Sequence, residues 1–205
     1  AGGRHVIVID RSASMSATDE KGPGERPISR LDKAKEQAIA LIDSLGEPGL
    51  FSARPADSAM VIVFDTQADV RQTFTADKGA LKRAVESIEP VDTSTSLKQA
   101  VQLIAANAQK LMFEDATTGK LYERPAESVG TIHIFSDGRI PDAGEVAFGP
   151  EDRVEFEPAG AADSVNVGIT SLRSSRGYDN PDQLSIFVGL ESTDRAERQV
   201  DVELA

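Results

Sequence analysis

Three short segments of this chain carry oxygen donors at the ends of apolar runs. Asp10, Ser12 and Ser14 close the run His-Val-Ile-Val-Ile as Asp-Arg-Ser-Ala-Ser, a spacing that lets three side-chain oxygens converge where a strand stops. Thr95 lies in the polar turn Asp92-Thr93-Ser94-Thr95-Ser96-Leu97 that enters a helical pattern, and Asp137 follows the apolar run from Thr131 to Ser136. In an open α/β sheet, ligands bind in the crevice beyond the carboxyl ends of the strands, so all three segments are expected at one edge. Asp10, Ser12, Ser14, Thr95 and Asp137 then form an all-oxygen set without His or Cys. That chemistry suits Mg2+ or Mn2+, with Ca2+ as a further possibility, and not zinc or copper.

The elements that must position these residues are legible in the hydrophobic pattern. Residues 5 to 10, 58 to 65 and 131 to 136 are near-continuous apolar runs, as strands buried on both faces of a parallel sheet require. The weaker run 68 to 74 follows the second of these after a short turn and predicts a hairpin. Ser29 with Asp32 three residues on resembles a capping box, and Leu31, Ala34, Ala38, Leu41, Ile42 and Leu45 make one helical stripe that Gly46 is expected to stop. Leu81, Ala84, Val85 and Ile88 mark a second helix before Pro90, and a third opens near Ser96 with Leu97, Ala100, Val101, Ile104 and Leu111. Val154 and Phe156 alternate with Glu155 and Glu157 in a shorter strand nearer an edge. Strand, helix, hairpin, helices, strand, strand is the order of a doubly wound, mostly parallel open α/β sheet.

After about residue 163 the pattern changes to three alternating runs: Val165 to Ile169, Leu184 to Leu190 and Val200 to Leu204. Three strands without helices resemble part of a β-sandwich, so residues 1–163 read as one domain and 164–205 as a partial second unit. Uncovered apolar strands invite pairing with another chain, which makes self-association through residues 164–205 an expectation.

The chain has 205 residues, enough to bury a sizeable core. Its formal net charge of -12 repels polyanions, which excludes nucleic acid as a natural partner. The absence of Cys removes disulfides, thiolate metal sites and Cys nucleophiles together. No apolar run approaches the length of a transmembrane helix, so any membrane anchor is expected outside these residues.

The three segments, in this order and at this spacing, resemble the von Willebrand factor A domain with its metal-ion-dependent adhesion site, over roughly residues 4 to 160. The resemblance implies a Rossmann-like fold in which Ser12 and Ser14 bind a cation directly, Thr95 directly or through water, and Asp10 and Asp137 largely through water. Thr93-Ser94 stands where many members carry two glycines. More narrowly, Asp-Arg-Ser-Ala-Ser-Met, Arg-Leu-Asp-Lys-Ala-Lys and Val-Asn-Val-Gly-Ile-Thr look like bacterial, aerotolerance-associated proteins of the Bat type. Those are membrane-anchored, which implies an extracytoplasmic domain tethered through segments absent from this chain.

The function implied is metal-dependent protein binding, with a partner Asp or Glu completing the coordination of Mg2+ or Mn2+. An alternative is a structural or assembly domain acting through its C-terminal strands, with the metal site incidental. A metal-dependent hydrolase is the third reading, and the site argues against it by offering no paired general base, no nearby His and no Gly-rich phosphate cradle. His5 and His133, the two histidines, lie in strands and read as core residues. Asp65 reads as a turn residue, Arg11 as a partner of the acidic rim or a solvated side chain, and the stretch from Phe113 to Ser128 as a long loop on the side opposite the metal.

Overall fold

The structure is a computed structural model that describes residues 2–47, 56–108, 112–114, 121–123, 129–149, 152–160, 167–176, 183–192 and 199–203. The chain divides into two compact units, residues 1–161 and 162–205. In the first, strand β1 (Arg4–Asp10) is followed by a 3-10 turn over Ala13–Ser16, by the two-residue strands β2 (Glu20–Lys21) and β3 (Pro27–Ile28), and by helix α1 (Arg30–Ser44). Strands β4 (Ser58–Phe64) and β5 (Ala68–Thr75) form the expected hairpin, and helices α2 (Lys78–Glu86) and α3 (Lys98–Ala108) come next without an intervening strand. Residues Met112–Glu114 (β6) and Leu121–Glu123 (β7) pair as a small antiparallel ladder, so part of the stretch expected to be a long loop is a hairpin. Strands β8 (Thr131–Ser136) and β9 (Arg153–Pro158) complete the unit.

The central sheet has the order β5-β4-β1-β8-β9, with every neighbouring pair parallel except β4 and β5. The central strands are apolar over most of their length because both faces are covered. Ile7, Ile9, Val61, Val63 and Phe135 pack with Leu31, Ala34, Ala38 and Ile42 of α1 and Leu81 and Val85 of α2 on one face. Val6, Val8, Met60, Ile62, Ile132 and Ile134 pack with Ala100 and Ile104 of α3 on the other. Two faces covered by helices on opposite sides is the doubly wound arrangement. Each buried side chain of this size contributes about 1.5–3 kcal/mol, so the strand ends inherit a rigid frame.

Helix α1 begins where the capping box places it: the Ser29 hydroxyl accepts from the Asp32 amide, and the Asp32 carboxylate accepts from the Ser29 amide. Gly46 follows the helix without a left-handed conformation. It is small because a Cβ there would stand 2.9 Å from the Asp57 carboxylate, which accepts from the Gly46 amide.

In the second unit, β10 (Val167–Arg176) and β11 (Leu184–Ser192) form one antiparallel ladder with an irregularity between Ile169 and Ser171. Strand β10 extends well beyond Ile169, into a polar stretch whose alternation that irregularity breaks. The third strand expected from Val200 to Leu204 is not formed over the described residues 199–203, which is a correction to the sequence reading. Alternation of Val200 and Val202 supplies apolar faces, but with no neighbouring strand among the described residues their backbone has no ladder to join.

Candidate metal centre

Three loops leave the carboxyl edge of the sheet and are stitched to one another by main-chain hydrogen bonds. The Ala13 amide donates to the Thr93 carbonyl and the Val91 amide to the Arg11 carbonyl, each spanning 2.9–3.0 Å, and the Ser96 amide donates to the Asp65 carbonyl. Strand β1 ends at the middle of the sheet, so its last residue stands between the loops that follow α2 and β8.

That last residue is Asp10, which is fully buried. Its Oδ1 accepts from the Ser12 amide at 2.9 Å. Its Oδ2 accepts from the Ser136 hydroxyl at 2.7 Å and from the Thr95 hydroxyl at 3.4 Å. Burial pushes the Asp10 carboxyl up, the bonds from Ser12 and Ser136 pull it down, and the neighbouring Asp137 adds to the rise. A buried anion next to a second one is costly unless a cation or further donors compensate it.

The Ser12 and Ser14 hydroxyl oxygens lie 3.4 Å apart. Adjacent ligands of an octahedral Mg2+ stand about 3.0 Å apart at metal–oxygen distances near 2.1 Å, so this pair needs only a small contraction to share one ion. Ser14 and Thr95 face a cleft of about 360 Å3 lined by Ser12, Ala13, Ser14, Asp92, Thr93, Ser94, Thr95, Arg139 and Pro141. Oxygen donors of four of the five selected residues thus gather around Asp10 and this opening.

The fifth, Asp137, is held by a different device. Its side chain is 2% exposed, and its Oδ2 accepts from Arg30 Nη1 at 2.7 Å while its Oδ1 accepts from the Arg139 amide at 3.1 Å. Arg30 is equally buried, and its Nε also donates to Asp19 at 2.8 Å. Room for the guanidinium comes from Gly160, where a Cβ would stand 2.9 Å from Arg30 Nε and where φ is +122°. One buried cation therefore bridges two carboxylates at the rim of the site.

Several contributors were not singled out by sequence reasoning. Ser136 anchors Asp10, and only its position before Asp137 at a strand end hinted at it. Arg30 looked like an ordinary first-turn residue of a helix. Asp142 accepts from the Ser96 hydroxyl and from the Leu97 and Lys98 amides, at 2.7–3.1 Å, so it caps the start of α3 from 44 to 46 residues away. Burial raises the Asp142 carboxyl, but the bonds from Leu97, Ser96 and Lys98 outweigh it and leave it below the usual carboxylate range. Asp65 makes its turn bond to the Gln67 amide and also accepts from Arg11 Nε at 2.8 Å, so Arg11 serves the acidic rim.

Comparison with known proteins places this geometry in context. A comparison with curated proteins gives no match. The chain resembles the crystal structure of an aerotolerance-related membrane protein from Bacteroides fragilis, carrying multiple mutations to serine. The two share 23% identity with a TM-score of 0.57, over 92% of this chain and 81% of that one. It also resembles BatB, a conserved hypothetical protein from Bacteroides thetaiotaomicron, at 21% identity and a TM-score of 0.51, over 92% of this chain and 80% of that one. These likenesses concern the fold. The family model of the von Willebrand factor type A domain matches residues 5–139. Because that match runs from β1 to just past Asp137, and so spans every loop that meets at Asp10, the chain belongs to the von Willebrand factor type A domain family.

Proposed function

We propose that this domain is a protein-binding module in which Mg2+ or Mn2+, held among Asp10, Ser12, Ser14, Thr95 and Asp137, accepts a carboxylate from a partner. Domains of this family commonly mediate protein–protein interaction. The observation that carries the finer reading is the distribution of protein contacts at the site. Both oxygens of Asp10 and both oxygens of Asp137 already accept hydrogen bonds from the protein. The Ser12, Ser14 and Thr95 hydroxyls are neutral donors at the cleft, beside those of Thr93 and Ser94. On this reading the first three hydroxyls would hold the cation and the two carboxylates would act largely through water. A cation ligated by neutral oxygens keeps most of its charge and supplies a position for an anionic ligand. A partner Asp or Glu seated there is desolvated, and contributes more than an exposed ion pair does.

The same geometry favours binding over hydrolysis. The residues lining the cleft include no His or Cys, and Asp10, the one carboxylate at the end of β1, is pinned by three donors rather than presented as a nucleophile. Among the described residues no helix is long and apolar enough to cross a membrane, so membrane anchoring would rest on other segments.

A second reading, assembly through the C-terminal strands, draws on the exposure of Ile169, Leu172, Leu184, Phe187 and Leu190 on β10 and β11. One experiment separates the two. Retention of a partner from native membranes by the immobilised full chain should be lost on chelation, restored by Mg2+, and weakened in Asp137→Ala. Retention that survives both chelation and Asp137→Ala places recognition away from the metal and supports the strand reading.

A further inference from the structure

We propose that this protein has a second metal site, for a zinc-class divalent cation, built from His133, Glu155 and Glu157 on the face of the sheet that α1 covers. His133 on β8 is paired in register with Glu155 on the edge strand β9, and Phe135 with Glu157, so both carboxylates project on the same face as the imidazole. One ligand atom from each of the three residues lies within 4.8 Å of the others. The cluster shares no residue with the centre around Asp10: His133 stands four residues before Asp137, about 13 Å along a strand, with Glu157, level with Phe135, its member nearest those loops.

The imidazole points to a ligand. His133 is 3% exposed, and its Nδ1 is buried without a hydrogen-bond partner, although Glu155 Oε2 lies 3.3 Å away. Its other nitrogen, Nε2, is 3.1 Å from Nδ1 of His5, whose ring stacks at a centroid distance of 5.4 Å. When His133 Nε2 donates its proton to His5, the Nδ1 lone pair faces the Glu155 carboxylate at 3.3 Å, with Glu157 in the same cluster, an arrangement that a cation among them resolves. A metal-binding His commonly gives its second N–H to a neighbour in this way, fixing ring and tautomer. Burial holds the His133 imidazole below its ordinary pKa, with the pull of Glu155 only partly offsetting it, so the neutral, ligating form prevails.

The donor set decides the class of metal. One imidazole nitrogen and two carboxylate oxygens suit Zn2+ and its transition-metal neighbours, whereas Mg2+ and Ca2+ prefer oxygen alone. Tetrahedral Zn2+ sets its ligand atoms about 3.3 Å apart, the distance already found between Glu155 Oε2 and His133 Nδ1, so the remaining spacings of up to 4.8 Å must close slightly. Both glutamates are only half buried on an edge strand, which permits the movement and admits the ion. Arg153 holds the far oxygen of Glu155 at 2.8 Å and leaves Oε2 toward His133.

The test uses the full chain in saturating Mg2+, so that the all-oxygen centre does not compete for Zn2+. Calorimetric titration should show one Zn2+ per chain in wild type and in Ser12→Ala, with affinity at least about 10-fold weaker in Glu157→Gln and in the double variant Glu155→Gln/Glu157→Gln. His5 and His133 are the two histidines of the chain, so their ring nitrogens can be followed individually by NMR. Zn2+ should shift His133 Nδ1 and leave His5 Nδ1 as a hydrogen-bond acceptor. Zn2+ binding unchanged in the glutamine variants, absence of Zn2+ binding in wild type, or a His133 Nδ1 proton that Zn2+ does not displace would each overturn the site. None of these outcomes bears on Mg2+ binding by Ser12 and Ser14.

Discussion

Three donors reach the fully buried Asp10: the Ser12 amide just after β1, the Ser136 hydroxyl at the end of β8, and the Thr95 hydroxyl from the loop between α2 and α3. The same economy explains Arg30, which brings one positive charge to two carboxylates, Asp19 and Asp137, that would otherwise repel each other. Removing one partner from a buried ion pair leaves an uncompensated charge, so Arg30→Ala should destabilise the fold by about 3–5 kcal/mol at neutral pH. Chemical denaturation would measure it, and a loss under about 1 kcal/mol would show that Asp137 and Asp19 are solvated without the guanidinium. Gly160→Ala should also destabilise, by about 1–3 kcal/mol, because the added Cβ meets Arg30 and the backbone must hold φ at +122°. A stability equal to wild type in that variant would contradict the packing described for Arg30.

At the scale of elements, β1, β4 and β8 could be read directly from the sequence because a strand buried on both faces reads as a near-continuous apolar run. Helix α1 was legible from Ser29 and Asp32, whose reciprocal bonds are local in sequence. The start of α3 was legible near Ser96, but its cap was not, because the capping carboxylate, Asp142, arrives from beyond β8, and no periodicity records a partner so distant. Likewise Asp10, Ser12, Ser14 and Asp137 could be selected by type and strand-end position, and Thr95 by its place in the turn entering α3, whereas Ser136 and Arg30 act through contacts visible only after folding. The expected strand at Val200 failed for a related reason: alternation describes a face, and a strand also needs a neighbour.

The long-range cap gives a prediction with a definite sign. The Asp142 carboxyl lies below its ordinary pKa in the folded protein, so its contribution is present above the unfolded value of about 3.9 and is lost as pH falls through the lowered folded value. Asp142→Asn should therefore cost about 1–2 kcal/mol at pH 7, and the gap from wild type should close in that acid range. A gap that stays constant from pH 7 to pH 2 would mean that charge at Asp142 has no part in holding the loop that carries Thr95.

At the scale of the molecule, a formal net charge of -12 and a carboxylate-accepting site look contradictory until the cation is counted. On the proposed function, a divalent ion at Asp10 would turn one spot of an acidic surface into an acceptor for acidic groups, while the remaining charge would repel partners that approach elsewhere. The second unit brings a different surface, since Ile169 and Phe187 are 63% and 64% exposed on a two-stranded ladder. Such a ladder is marginal alone, so the full chain should self-associate more than a variant lacking residues 164–205. Sedimentation velocity at several concentrations checks this, and identical, concentration-independent profiles would refute it.

The most direct test of the account is calorimetric titration of the full chain with Mg2+ and Mn2+, comparing wild type with Ser12→Ala and with Asp137→Ala. One ion should bind per chain, with affinity weakened at least about 10-fold in Ser12→Ala, which would lose the proposed ligating oxygen, and about 10- to 100-fold in Asp137→Ala, which would lose the carboxylate proposed to act through water. Thermal melts of Ser12→Ala should match wild type, so that the loss is read at the site and not in the fold. Mg2+ and Mn2+ affinities unchanged in both variants would contradict the proposed centre.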